Sequence, residues 1–172
     1  MRHETQTANG QSKHIVGGAV VVVAILGETK ILLIQETTKP KPHYWKLIAE
    51  TLEHGEPILN ALWGGVREEA GLELSVRRLN GQVVEIADGR LKAAKQLLRS
   101  QWVQSHFPHH RHFWGLLTTD EVVQTLSGKH LQGDKNEEID TMAFDLADLE
   151  KMVDFHPVHR KLIEQLMSGD AS

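Results

Sequence analysis

The sequence predicts an α/β domain, and three observations carry that assignment. Runs rich in β-branched residues recur early in the chain, with "IVGGAVVVVAIL" (15–26) followed by "KILLIQE" (30–36). Residues 57–70 then repeat apolar side chains at Leu59, Leu62, Trp63, Val66 and Ala70, which is the spacing of one helical face. A second helical pattern, "PVHRKLIEQLM", closes the chain. At 172 residues the chain suits one domain with a substantial core, read as a flexible tail over residues 1–14 and a single domain over 15–168.

In order along the chain, the first 14 residues are polar and aperiodic, which suits a loosely attached tail. The valine-rich run is a buried strand, "GETK" a turn, and "KILLIQE" the returning strand of a hairpin. Prolines in "TTKPKPHYW" forbid regular structure, and "KLIAE" is a short strand. Pro57 suits the first turn of the helix over 57–70, and Gly71 suits its C-terminal cap. "GQVVEIA" is a strand. Residues 89–100 place Leu91, Ala94 and Leu98 inside and Arg90, Lys92, Lys95 and Arg99 outside, which predicts an amphipathic helix with a basic face. "HRHFWGLLT" is a strand, "DEVVQTL" a short helix, "GDKNEEID" a polar loop, "TMAFDL" a strand and "ADLEKMV" a helix before the last one. No internal repeat is present.

Bulk charge excludes some functions. The formal net charge is -4 and both signs are interspersed, so nothing attracts nucleic acid or an anionic membrane globally. A phosphate-bearing ligand needs a local site. The absence of cysteine excludes disulfides, thiol catalysis and thiolate metal sites, and it fits a cytoplasmic protein. The apolar run 15–26 is too short to span a bilayer, and the mixed polar residues before it lack the basic start of an export signal. No membrane or nucleic-acid partner is expected.

The chemistry concentrates around residues 50–70. Glu68 and Glu69 occupy consecutive helical positions, and Glu53 and Glu56 lie in the turn feeding that helix. Carboxylate oxygens are the preferred ligands of Mg²⁺ and Mn²⁺, and such an ion would offset their mutual repulsion. A solvated helix face is the competing reading. Gly64 and Gly65 stand inside the helix, each costing up to about 1 kcal/mol relative to alanine.

These residues resemble the signature of the Nudix hydrolases, Gx5Ex7REUxEExGU with U a bulky aliphatic residue. Glu56, Val66, Glu68, Glu69, Gly71 and Leu72 fall on its fixed positions in register, and "EHGE" is similar to the turn common inside that box. Three positions depart: Glu50 stands for glycine, Gly64 for arginine and Gly65 for the first glutamate. The order of elements across most of the chain also resembles that family. The resemblance implies a Nudix-type α/β/α sandwich with a mixed central sheet.

It further implies Mg²⁺- or Mn²⁺-assisted cleavage of a pyrophosphate bond in a nucleoside diphosphate linked to another moiety. Glu68 and Glu69 are the first expected metal ligands, with Glu53 and the backbone at Ala49 as further candidates. Catalytic candidates are Glu68, Glu69, Glu50 and, from the late acidic loop, Glu138 with its neighbour Glu137. The lost carboxylate at Gly65 leaves two alternatives open: Glu50 returns a carboxylate across space, or the chain is a catalytically inactive Nudix-fold module that binds a nucleotide-like ligand or a protein partner. Gly64 removes the arginine expected to pair with Glu56, and Arg67 is the nearest substitute. Family members commonly dimerise, so a homodimer is compatible with the resemblance.

Substrate contacts are expected from Arg67, Arg111 and Tyr44. Arg111 lies in "SHFPHHRHFW", where His110 and His112 share one strand face. Imidazoles suit transition metals, but a histidine-rich strand edge touching a phosphate is the more ordinary reading. Tyr44, Trp102 and Trp114 could stack on a base or pack in the core.

Overall fold

The structure is a computed structural model, and it describes residues 4–6, 13–15, 18–133 and 136–169. Most of the expected tail lies outside the described residues. Within it, β1 (Glu4–Gln6) and β2 (Lys13–Ile15) pair antiparallel. The chain continues through β3 (Gly18–Leu26), β4 (Lys30–Glu36), β5 (Ile48–Leu52) and α1 (Ile58–Ala70). A hairpin of β6 (Val76–Leu79) and β7 (Gln82–Ile86) follows, then β8 (Ala93–Gln96), β9 (Gln101–Val103) and β10 (His109–Leu117). Helix α2 (Asp120–Leu126), β11 (His130–Gln132), β12 (Glu138–Asp145), a 3-10 turn (Leu146–Lys151) and α3 (Pro157–Met167) complete it.

The main sheet runs β11-β12-β4-β3-β10-β8, with β5 added to β3 and β9 to β10. Only the β3–β10 pairing is parallel, so the sheet is mixed, as expected. Central β3 reads as an unbroken apolar run because both of its faces are covered. Val21, Val23 and Ile25 pack on the α1 side with Leu62 and Val66, while Val22 and Ala24 pack on the other with Phe113 and Leu162. That is an α/β/α sandwich.

One local feature matters for the site. Strand β3 pairs with β4 only at Ile25 and Leu26, and its other half, Ala19 to Val23, pairs with β5. Two strands therefore share one edge of β3, and both deliver side chains to the α1 face.

Two elements and one side chain differ from expectation. Residues 89–100 form no helix; their centre is β8, antiparallel to Trp114–Leu117 of β10. The sheet needs a partner for that edge of β10, and ladder hydrogen bonds override a three-residue apolar spacing that both patterns can satisfy. Two of the four basic residues enter ion pairs: Arg90 clamps Asp88, and Lys92 Nζ donates to Glu28 Oε2 at 2.6 Å. "ADLEKMV" folds as a 3-10 turn rather than an α-helix. Trp102 is 48% exposed instead of core, meeting His110 edge-on, whereas Trp114 packs on the α1-side core.

Candidate functional site

The site is built by strand alternation. Side chains two residues apart share a sheet face. On β5, Ile48 and Leu52 pack into the α1-side core, so Glu50 between them faces α1. On β4, Leu32 and Ile34 belong to that core, which carries Glu36 to the same face. On β12, Ile139 lies opposite Glu36 and packs there, and Glu137 precedes it by two residues. From the covering layer, α1 contributes Glu69, one turn beyond Gly65.

These groups feel one another. Burial pushes the Glu69 carboxyl up to about 8, and the charge of Glu50 adds to it; Lys46 partly opposes the rise, while Glu36 and Glu137 reinforce it. Glu36 is only 7% exposed. Burial works to raise its carboxyl, but Lys46, whose Nζ donates to Oε1 at 2.5 Å, together with Lys39 and Glu137 holds it below its ordinary value. Lys39 Nζ stands 3.7 Å from Oε2, which is buried and meets no donor within hydrogen-bond distance other than one a protonated Glu137 would supply. Burial and the Glu36 charge together raise Glu137.

Beside this group opens a cleft of about 310 Å³, lined among others by Glu36, Lys39, Pro42, Tyr44, Lys46 and His156. Tyr44 meets His156 edge-on at 5.5 Å. Lys39 is largely exposed at its mouth.

The donor set fits a hard, oxygen-preferring cation: several carboxylates face one another and one buried oxygen lacks a donor. Among the described residues, no three histidine, aspartate or glutamate side chains are gathered at metal-ligand distance. A divalent ion would have to draw them together.

Other expected residues fall elsewhere. Glu68 is half-exposed, with Oε2 3.8 Å from Arg67 Nη2. Arg67 lies over the Trp63 ring at 4.6 Å, as does Arg78, and Glu56 accepts instead from the Glu53 backbone N–H at 3.0 Å and Asn60 Nδ2 at 3.5 Å. Glu53 is exposed in a turn whose Gly55 has φ 79°. Ala49 lies opposite Val22, against the α3-side core. Arg111 is on that far face too, donating to Gln101 Oε1 at 2.8 Å. Glu138 bonds His130 Nε2 at 2.7 Å, and His130 Nδ1 also bonds Asp140 at 2.6 Å. Glu137, one residue earlier, is the late-loop acid that meets Glu36.

Sequence reasoning missed Glu36 and Lys46. A readable signal existed: a glutamate ending a buried strand and a lysine between Trp45 and Leu47 each need a partner.

The NUDIX domain model matches residues 16–166. This chain belongs to the Nudix family. Solved structures agree in fold. The NUDIX hydrolase from Nitrosomonas europaea is 16% identical, with a TM-score of 0.61, covering 91% of this chain and 92% of that one. The NUDIX domain of Shewanella oneidensis NrtR, solved with ADP ribose, is 15% identical with a TM-score of 0.59, over 90% and 89% of the two chains. The MutT NUDIX hydrolase from Burkholderia pseudomallei is 18% identical with a TM-score of 0.57, over 86% and 96%. No curated protein sequence matches this Nudix chain. Among its described residues, no helix is long and apolar enough to cross a membrane.

Proposed function

We propose that this Nudix protein hydrolyses a pyrophosphate bond in a nucleoside diphosphate linked to another moiety, assisted by Mg²⁺ or Mn²⁺. The observation that carries the reading is the mutual electrostatic stress of Glu69, Glu50, Glu36 and Glu137 on one sheet face, beside a cleft with an exposed lysine at its mouth. Carboxylates kept together at this cost suit a site that receives positive charge.

Glu69 is the first ligand for the cation, with Glu68 at the rim. When bound, such an ion supplies positive charge to the phosphate oxygens and to the attacking water. Lys46 keeps Glu36 ionised and fixed in place, so that carboxylate remains an anion inside the site. Lys39 faces incoming phosphate, and Tyr44 with His156 forms a wall against which a ring can lie.

ADP-ribose fits this substrate class and is the first compound to test. Mg²⁺- or Mn²⁺-dependent release of AMP is expected, falling about a hundred- to ten-thousand-fold in Glu69→Gln. A second reading, a binding module without turnover, is favoured by the carboxylates not being gathered at ligand distance. ADP-ribose, dinucleotides and nucleotide sugars that bind without hydrolysis under either metal would establish that second reading.

A further inference from the structure

We infer that Glu50 supplies, from strand β5, the carboxylate that the Nudix signature places on the helix, and that residue 65 is glycine because Glu50 fills the space its side chain would take. The inference deepens the hydrolase reading and rests on it for the carboxylate's role, but its geometric half stands on packing alone.

The packing is specific. A Cβ added at Gly65 would lie 2.3 Å from Glu50 Cγ, 3.1 Å from Cδ and 3.3 Å from Oε2. The first is closer than carbon atoms tolerate and the other two are tight, and that first contact is at the middle of the Glu50 side chain, so no swing of its carboxylate end relieves it. Gly64, the adjacent glycine, provides the internal control: a Cβ there meets nothing within 4 Å. The helix therefore gives up a side chain at 65 for a reason that does not apply at 64.

The direction of Glu50 is fixed by the ladder. It pairs with Val21, a fully buried residue of the α1-side core, and its strand neighbours Ile48 and Leu52 pack on that side. A charge at a strand-to-turn junction ordinarily escapes to solvent. Here the register carries it under α1, against the bare turn of helix that also bears Glu69. The site thus keeps its carboxylate count while changing which element delivers it. In an arrangement of this kind Glu50 holds the cation together with Glu69, and Gly65 is a positioning residue that leaves room for it.

The test compares wild type, Glu50→Gln, Gly65→Glu and the exchange Glu50→Gly/Gly65→Glu in the full chain. Mn²⁺ affinity is read by electron paramagnetic resonance and melting temperature is read without metal. Glu50→Gln is expected to keep the fold and to lose at least about tenfold in Mn²⁺ affinity. Gly65→Glu is expected to melt below wild type, and the exchange to regain both melting temperature and Mn²⁺ affinity relative to that single variant. Mn²⁺ binding by Glu50→Gln equal to wild type, no Mn²⁺ binding by wild type, or a Gly65→Glu protein as stable as wild type would overturn the inference. Failure of the hydrolase reading looks different: Mn²⁺ affinity still depends on Glu50, but no compound in the panel is cleaved.

Discussion

His159 shows how much a single buried residue can decide. From sequence it belongs to the entry of the last helix, and its neighbour His156 does cap that helix, accepting from the Val158 N–H at 3.2 Å. His159 itself turns inward, where its Nδ1 accepts the Leu47 N–H at 3.0 Å. Burial pushes its imidazole down to about 3, with the facing charges of His156, Lys46 and Arg111 acting in the same direction. The unfolded chain therefore binds a proton near pH 6.5 that the native protein refuses until about pH 3. Stability is complete above about pH 6.5 and falls as pH drops through that window, by up to about 1.4 kcal/mol per unit. Denaturant melts at pH 7 and pH 5 check this: wild type weakens, whereas His159→Leu weakens less over the same interval. The substitution also orphans the Leu47 N–H, costing about 1–3 kcal/mol at pH 7. None of this is legible in "HPVH", because the partner is 112 positions away.

Helix α1 tests the same logic at the scale of an element. Its apolar spacing, its proline entrance and its glycine cap with φ 70° were all readable, since each depends on residues within a few positions. The two glycines inside it were readable as an anomaly but not as two different things. Gly64→Ala is expected to stabilise the protein by up to about 1 kcal/mol, because helix propensity improves and the new methyl group enters open space. Gly65→Ala is expected to destabilise it despite the same gain, because the methyl group strikes Glu50. Thermal melts of the two variants in parallel measure the difference. Strand β8 fails for the complementary reason: residues 89–100 carry apolar side chains that satisfy a helical spacing, and the deciding fact was the unfilled edge of β10.

Across the whole molecule, the sandwich was legible because valine-rich strands and two amphipathic helices leave few ways to cover both faces of a sheet. The candidate site was legible at Glu69, where the signature survives, and Glu50 and Glu137 were readable as open candidates. Glu36 and Lys46 come from a strand and a loop that no local motif connects to the helix. If the assembled carboxylates take up a divalent ion, folding and binding are linked: Mn²⁺ at about a hundred times its dissociation constant adds about 2.7 kcal/mol of stability. Calorimetry should show a rise in melting temperature with Mn²⁺, its reversal by chelator, and a smaller rise in Glu69→Gln. The shared space between positions 50 and 65 also constrains the routes by which such a site can be rebuilt. Starting from a helix glutamate over a strand glycine, adding Glu50 first puts two side chains into one volume, and removing the helix glutamate first leaves that volume without an acid. Either single step passes through a crowded or a depleted centre, so changing either residue alone would report damage that belongs to the pair.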